Sequence, residues 1–193
     1  MLHIEHDARA IVLIYDSVYG SYNSISDKLE AALTRLLKQY PNYIVTVTGH
    51  SLGGALAGFA YPGLKAAGFP VPKAYTFGQP RLGNKAFADY IDKLSGTTEE
   101  NVGNYYRTTH TFDGVPNLPG RDMGFQHSRT EFFELDTKSG NQSAARTFRC
   151  YGQEAQDCND GRARGFVNQA HLMYSGTDMT GGGGCGSVKG GIL

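Results

Sequence analysis

The chain has 193 residues, with 18 Lys+Arg against 18 Asp+Glu and a formal net charge of zero, which excludes a strong sequence-independent attraction to nucleic acid or to an anionic membrane. With 40% hydrophobic and 19% charged residues the composition is that of a globular protein, and one domain of this length buries roughly 70% of its unfolded surface without needing disulfides to carry the fold. The 26 glycines point to many tight turns; collagen and wholesale disorder are excluded.

The longest apolar run, residues 11–14, is far shorter than the roughly 18 to 20 residues of a membrane span. The first ten residues, MLHIEHDARA, have neither the basic start nor the long apolar stretch of a secretion signal, so the sequence as it stands shows no export address. Residues 11–15 form a short β-branched run between polar ends and predict a buried strand. Over residues 25–40 the apolar side chains recur at three- and four-residue spacing, predicting an amphipathic helix with Ser24 and Asp27 as a capping box and Pro41 as its stop. Residues 43–48 predict a second strand, completing a strand–helix–strand unit whose natural product is a parallel sheet. The alternation continues with a helix over 52–60, a strand over 72–77, a helix over 85–94 and strands over 105–110 and 131–135. The expected class is therefore α/β: a mostly parallel central sheet flanked by helices, in one domain over residues 1–180 followed by a Gly-rich flexible tail, 181–193.

Directly after the second strand the chain reads Gly49-His50-Ser51-Leu52-Gly53 and runs on into a helix, the form of a nucleophile elbow. Such a turn wants glycine at Gly49 and Gly53 so that no Cβ meets the neighbouring backbone, and it lifts the Ser51 hydroxyl to the carboxyl edge of the sheet. The helix aims free N–H groups at the same place, with the N–H of Leu52 set to hold an oxyanion.

A serine needs a base to take its proton, and the base needs a carboxylate on its other nitrogen. Asp113 follows the 105–110 strand in a loop at a strand's carboxyl end, where sites in open α/β sheets gather; Asp92 sits in a helix and Asp122 further out in the loop. His171 lies at a loop-to-helix entry, and the chain order Ser51, Asp113, His171 suits an α/β-hydrolase. His50 points off the elbow as a packing or positioning residue, while His110 and His127 are expected to be hydrogen-bonded structural residues near the site. A metal site is not expected: the six histidines are scattered, and neither C-x-x-C nor H-E-x-x-H occurs. Gly181 to Gly184 has no preceding strand and no Lys-Ser/Thr ending, so it is not a phosphate loop.

On these residues the chain resembles the fungal class 3 lipases, a family that includes feruloyl esterases of the same α/β-hydrolase fold. The resemblance runs from about Tyr19 to Cys185 through Tyr40-Pro41-Asn42-Tyr43, the elbow with Gly54-Ala55-Leu56-Ala57, Thr76-Phe77-Gly78-Gln79-Pro80-Arg81-Leu82-Gly83-Asn84, Asp113-Gly114-Val115-Pro116-Asn117-Leu118-Pro119 and His171-Leu172. It implies Ser51 as nucleophile, Asp113 as orienting carboxylate, His171 as base and the Leu52 N–H as one oxyanion donor. It also implies a secreted monomer that cleaves carboxylic esters, at a lipid–water interface where the ester is a lipid, with no cofactor and no metal. Cys150 and Cys158 resemble the family's local disulfide, and Cys185 resembles a terminal cysteine whose partner lies near the family's N-terminus; a partner for it is absent from the three cysteines of this sequence. The sequon Asn141-Gln142-Ser143 is consistent with secretion.

The departures are at the front. Family members carry further strands, a lid segment and an Arg-Gly-Ser/Thr motif at a strand end that supplies the second oxyanion donor. Here residues 8–15 resemble that strand, but Asp16-Ser17-Val18 stands where the motif belongs. Loss of one donor costs ~10²–10³ in turnover, a carboxylate at Asp16 would add repulsion, and the missing strands would leave a sheet edge open. Pro62 falls in a helix that the family continues further. Three readings follow: a triacylglycerol-lipase-type ester hydrolase, a feruloyl or other plant cell-wall esterase with the same triad, and a shortened, catalytically silent lipase-like chain.

Overall fold

A computed structural model of the chain describes residues 13–135, 146–162 and 167–180. The tail 181–193, Cys185 and the Asn141 sequon lie outside the described residues.

Helix α1 (Asp16–Gln39) starts nine residues before the expected position of residue 25. Ser24 does not cap it. The serines that read as a helix start instead turn their hydroxyls back onto the helix: Ser21 donates to the Ser17 carbonyl (2.9 Å), Ser24 to Ser21 (2.8 Å) and Ser26 to Asn23 (3.0 Å). Their polarity is thereby satisfied inside the helix, and the apolar seam extends back to Val18 and Tyr22. The expected strand over 11–15 is likewise corrected. Its described part makes a single antiparallel bridge, Ile14 to Gly83, fixed by Tyr15 N–H on the Leu82 carbonyl and Asn84 N–H on the Leu13 carbonyl. Among the described residues it adds no strand to the main sheet, and the first strand–helix–strand unit is not seen there.

The main sheet has five strands: β1 (Thr46–His50), β2 (Lys73–Phe77), β4 (Tyr105–His110), β6 (Glu131–Glu134) and β7 (Thr147–Cys150), side by side in that order. The first four are parallel and β7 runs antiparallel to β6. Expected and observed bounds agree for 105–110 and nearly so for 72–77, whereas β1 begins at Thr46 because Tyr43 and Ile44 are exposed in the turn after α1. Among the described residues β1 pairs on one side alone, with β2.

Helix α2 (Leu52–Ala66) connects β1 to β2 and outruns its expected end at residue 60. It passes through Pro62, whose missing N–H leaves the Gly58 carbonyl without its usual partner, and stops at Gly68, whose left-handed φ of +84° closes the end. Val47, Ala74 and Tyr105 on one sheet face meet Phe59 and Leu64 of α2 in a continuous core. On the outer side of α2, α1 packs through Tyr19 against Phe59, and the Tyr22 hydroxyl comes so close to Gly63 that a Cβ there would lie 2.2 Å away. Helix α3 (Lys85–Ser95) is capped by the Asn84 side chain on Phe87 N–H and ended by Gly96. It follows the short strand β3 (Gly83–Asn84), which pairs with β5 (Phe125–Gln126). The chain then adds the single-turn helix α4 (Asn159–Arg162) and the hairpin β8 (Met173–Tyr174) and β9 (Thr177–Asp178).

Candidate active site

Three adjacent strands end at one place. Ser51 follows β1, Gly78 follows β2 and Asp113 lies three residues beyond β4, so sheet order alone gathers them at its carboxyl edge. Ser51 has φ 57° and ψ −127°, a backbone that a non-glycine residue adopts only when its surroundings fix it. Gly49 is what permits this: a Cβ there would lie 2.2 Å from the Gly53 carbonyl oxygen. The expected role of Gly53 needs correction, because a Cβ at Gly53 would meet nothing within 4 Å; the neighbour that is tight is Gly54, where a Cβ would lie 3.1 Å from the Gly49 carbonyl oxygen. Leu52 is the first residue of α2, so its N–H has no partner within the helix and lies at the positive end of the helix dipole.

His171 arrives from a 3-10 turn, Gln169–Leu172. Its Nδ1 lies 2.9 Å from Asp113 Oδ2 and its Nε2 2.8 Å from Ser51 Oγ. An Nδ1 proton donated to the carboxylate leaves Nε2 as acceptor for the serine hydroxyl. Asp113 is fully buried and His171 is 3% exposed; Ser51 is partly open to solvent. The buried carboxylate is satisfied on both oxygens, Oδ1 accepting the Val115 N–H (2.9 Å) and Oδ2 accepting His171 and the Tyr174 hydroxyl. Burial first, and then the adjacent Asp113 charge, hold the Tyr174 phenol well above its ordinary range, so it stays a donor. The other two carboxylate candidates are elsewhere: Asp92 is taken up by Arg129 (2.8 Å), and Asp122 is exposed in a short 3-10 turn.

His50 and His110 steady the backbone of the His171 turn. His50 donates through Nε2 to the His171 carbonyl (2.8 Å) and His110 through Nδ1 to the Ala170 carbonyl (2.8 Å). Burial is the largest influence on His50 and pushes its pKa down, which favours the neutral ring. His127 lies away from the triad, donating to the Pro116 carbonyl (2.7 Å). Cys150 and Cys158 are disulfide-bonded, and the next residue, Asn159, donates to the carbonyls of His110 and Asp113, both at 2.9 Å.

Sequence reasoning gave no role to Asn159, Asn168, Tyr174 or Gly78. Gly78 has φ +57°, and a Cβ on it would lie 3.0 Å from His171 Cε1 and 3.1 Å from Asp113 Oδ2. A glycine directly after a strand, at the same depth as the elbow, was the available signal. For Asn168 the signal was an N-cap residue type three places before His171; Asn159 and Tyr174 act through tertiary contacts that leave no local trace.

A serine, a histidine and a buried aspartate joined by two hydrogen bonds at the edge of a parallel sheet define an α/β-hydrolase. The family model described as "Lipase (class 3)" matches residues 2–123, and the chain belongs to that family. It is 34% identical over 158 residues to a secreted mono- and diacylglycerol lipase A of Penicillium cyclopium, covering 81% of this chain and 49% of the relative. It is 35% identical to a secreted mono- and diacylglycerol lipase 1 of Fusarium solani, covering 83% and 46%. The solved Lip2 lipase of Yarrowia lipolytica superposes with a TM-score of 0.77 at 34% identity, covering 87% of this chain and 58% of that one. The chain thus spans about half the length of the relatives it matches. Among the described residues no helix is long and apolar enough to cross a membrane.

Proposed function

We propose that the chain is a serine carboxylic ester hydrolase of the lipase type. The hydrogen-bonded line Ser51 Oγ, His171 Nε2, His171 Nδ1, Asp113 Oδ2 carries this reading. Ser51 attacks the acyl carbon while His171 accepts its proton, and Asp113 stabilises the imidazolium so formed. The oxyanion of the tetrahedral intermediate takes the Leu52 N–H. His171 then protonates the leaving alcohol, and a water activated by the same ring releases the acyl group and restores Ser51. Binding, proton transfer and charge stabilisation all come from the chain's own groups, so the reading calls for neither cofactor nor metal.

The substrate class follows from the relatives, which are named as mono-, di- and triacylglycerol lipases. Lipid esters are therefore favoured over feruloyl esters, and these relatives are named as secreted, which with the Cys150–Cys158 disulfide supports secretion of this protein. Asp16 and Ser17, which stand where the family's second oxyanion donor belongs, form the exposed first turn of α1. With the Leu52 N–H alone, turnover is expected ~10²–10³ below that of a two-donor site. Hydrolysis of p-nitrophenyl butyrate, a long-chain p-nitrophenyl ester and methyl ferulate, by the wild type and by Ser51→Ala, tests the proposal. Turnover of the first two that vanishes in Ser51→Ala is expected. Activity retained by Ser51→Ala would overturn the mechanism, and a preference for ferulate would overturn the substrate class.

A further inference from the structure

We propose that Asn168 is a positioning residue that couples the loop carrying Asp113 to the turn carrying His171, a role that rests on the triad reading above. Its side-chain Nδ2 donates to the Phe112 carbonyl at 2.7 Å, one residue before Asp113. Its Oδ1 accepts the Ala170 N–H at 2.9 Å and the His171 N–H at 3.4 Å. One amide therefore grips the backbone on both sides of the Asp113–His171 hydrogen bond.

The loop it grips needs holding. Phe112 has φ +68°, a left-handed conformation that is strained for a non-glycine residue and persists only where neighbours enforce it. From the other side Asn159 takes the His110 and Asp113 carbonyls. Asn159 is anchored by the adjacent Cys158 disulfide and by its N–H on the buried Glu131 carboxylate. Two asparagines thus close on one turn; of the two, Asn168 reaches from it to the His171 N–H, beside the His110 ring on the Ala170 carbonyl. The choice of asparagine follows from the chemistry: serine, threonine or aspartate would cap the Gln169–Leu172 turn equally well, yet none offers the N–H that Phe112 receives. Since a displacement of about 1 Å between reacting groups can cost 10²-fold in rate, the coupling bears directly on turnover.

The test is Asn168→Ser, which keeps an acceptor for the turn, removes the donor to Phe112 and adds no charge. A thermal midpoint near that of the wild type is expected, with kcat on p-nitrophenyl butyrate lower by ~10–100-fold and KM within about twofold. The strongly downfield proton NMR signal of the His171 Nδ1–H bond to Asp113 is expected in the wild type and broadened by exchange in the variant. That signal needs no turnover, so an inactive wild type that still shows the proton and its loss in Asn168→Ser would defeat the hydrolase reading and leave the coupling intact. Wild-type kcat in Asn168→Ser, a fall in kcat with the proton signal unchanged, or absence of the signal from the wild type would each overturn the coupling. Should Asn168→Ser lack a cooperative thermal transition, Asn168→Thr, which caps the turn in the same way, is read by the same outcomes.

Discussion

His50 donates a 2.8 Å hydrogen bond to the backbone carbonyl of His171 while its ring lies 4.6 Å from the His171 ring. The residue beside the serine thus supports the histidine that the serine uses, through the chain and not through the imidazole. His50→Phe keeps the ring and removes the donor. With about 1 kcal/mol for the lost bond, kcat is expected to fall roughly fivefold to tenfold at unchanged KM, measured by steady-state hydrolysis of p-nitrophenyl butyrate. A larger loss together with a raised KM would mean that His50 contacts substrate.

Gly78 provides the space in which the triad assembles. In Gly78→Ala the new methyl carbon would lie 3.0 Å from both His171 Cε1 and Tyr174 Oη, on a backbone at φ +57°. A loss of ~1–2 kcal/mol in stability from the left-handed backbone is expected, with a fall of roughly 10²-fold in kcat from displacement of His171. Urea unfolding and kinetics on the same preparation separate the two effects.

The pH dependence of stability has a defined sign. Burial, with the Arg107 and Arg81 charges adding to it, holds His127 well below the ordinary histidine range, and burial also lowers His50. Below about pH 6.5 the unfolded chain binds protons that the folded chain refuses, so stability is full above that pH and is lost as pH falls toward the depressed folded values. His127→Gln, which retains a donor for the Pro116 carbonyl, is expected to flatten this acid slope in urea titrations below about pH 6.5. An unchanged slope would assign the effect to other groups.

Arg81 is 1% exposed and is bound by Glu154 at 2.8 Å and Asp160 at 2.9 Å, with the Asn117 and Pro119 carbonyls completing its shell. Arg81→Met leaves the buried Glu154 carboxylate without its cation and Asp160 with Arg121 alone, at 3.3 Å. A loss of ~3–5 kcal/mol is expected, read from denaturant unfolding. Because the same guanidinium ties the 117–119 segment to α4, whose Asn159 holds the Asp113 loop, turnover should fall with stability.

The main sheet, its direction and the candidate positions Ser51 and Asp113 were legible in the sequence from local causes, and His171 from its place after them in chain order. Strand, elbow and helix are consecutive at Ser51, and Asp113 follows a strand whose bounds, Tyr105–His110, could be read directly. What stayed hidden was set by side-chain hydrogen bonds and by contacts distant in sequence. The start of α1 was obscured by serines that look like caps until their hydroxyls are seen bonded within the helix. The run before Asp16 has the composition of a strand, yet its described residues meet Gly83 and not the sheet. Gly53 follows the elbow pattern without being sterically required, whereas Gly78 is required and belongs to no such pattern.

The central claim is that Ser51, His171 and Asp113 form a working nucleophile in this 193-residue chain. Its most direct test is labelling of the purified protein with a fluorophosphonate probe, read by intact mass and peptide mapping. Stoichiometric modification at Ser51, abolished in His171→Ala, is expected. Soluble, cooperatively folded protein that takes up no label would contradict the claim and mark the three residues as an assembled but silent remnant.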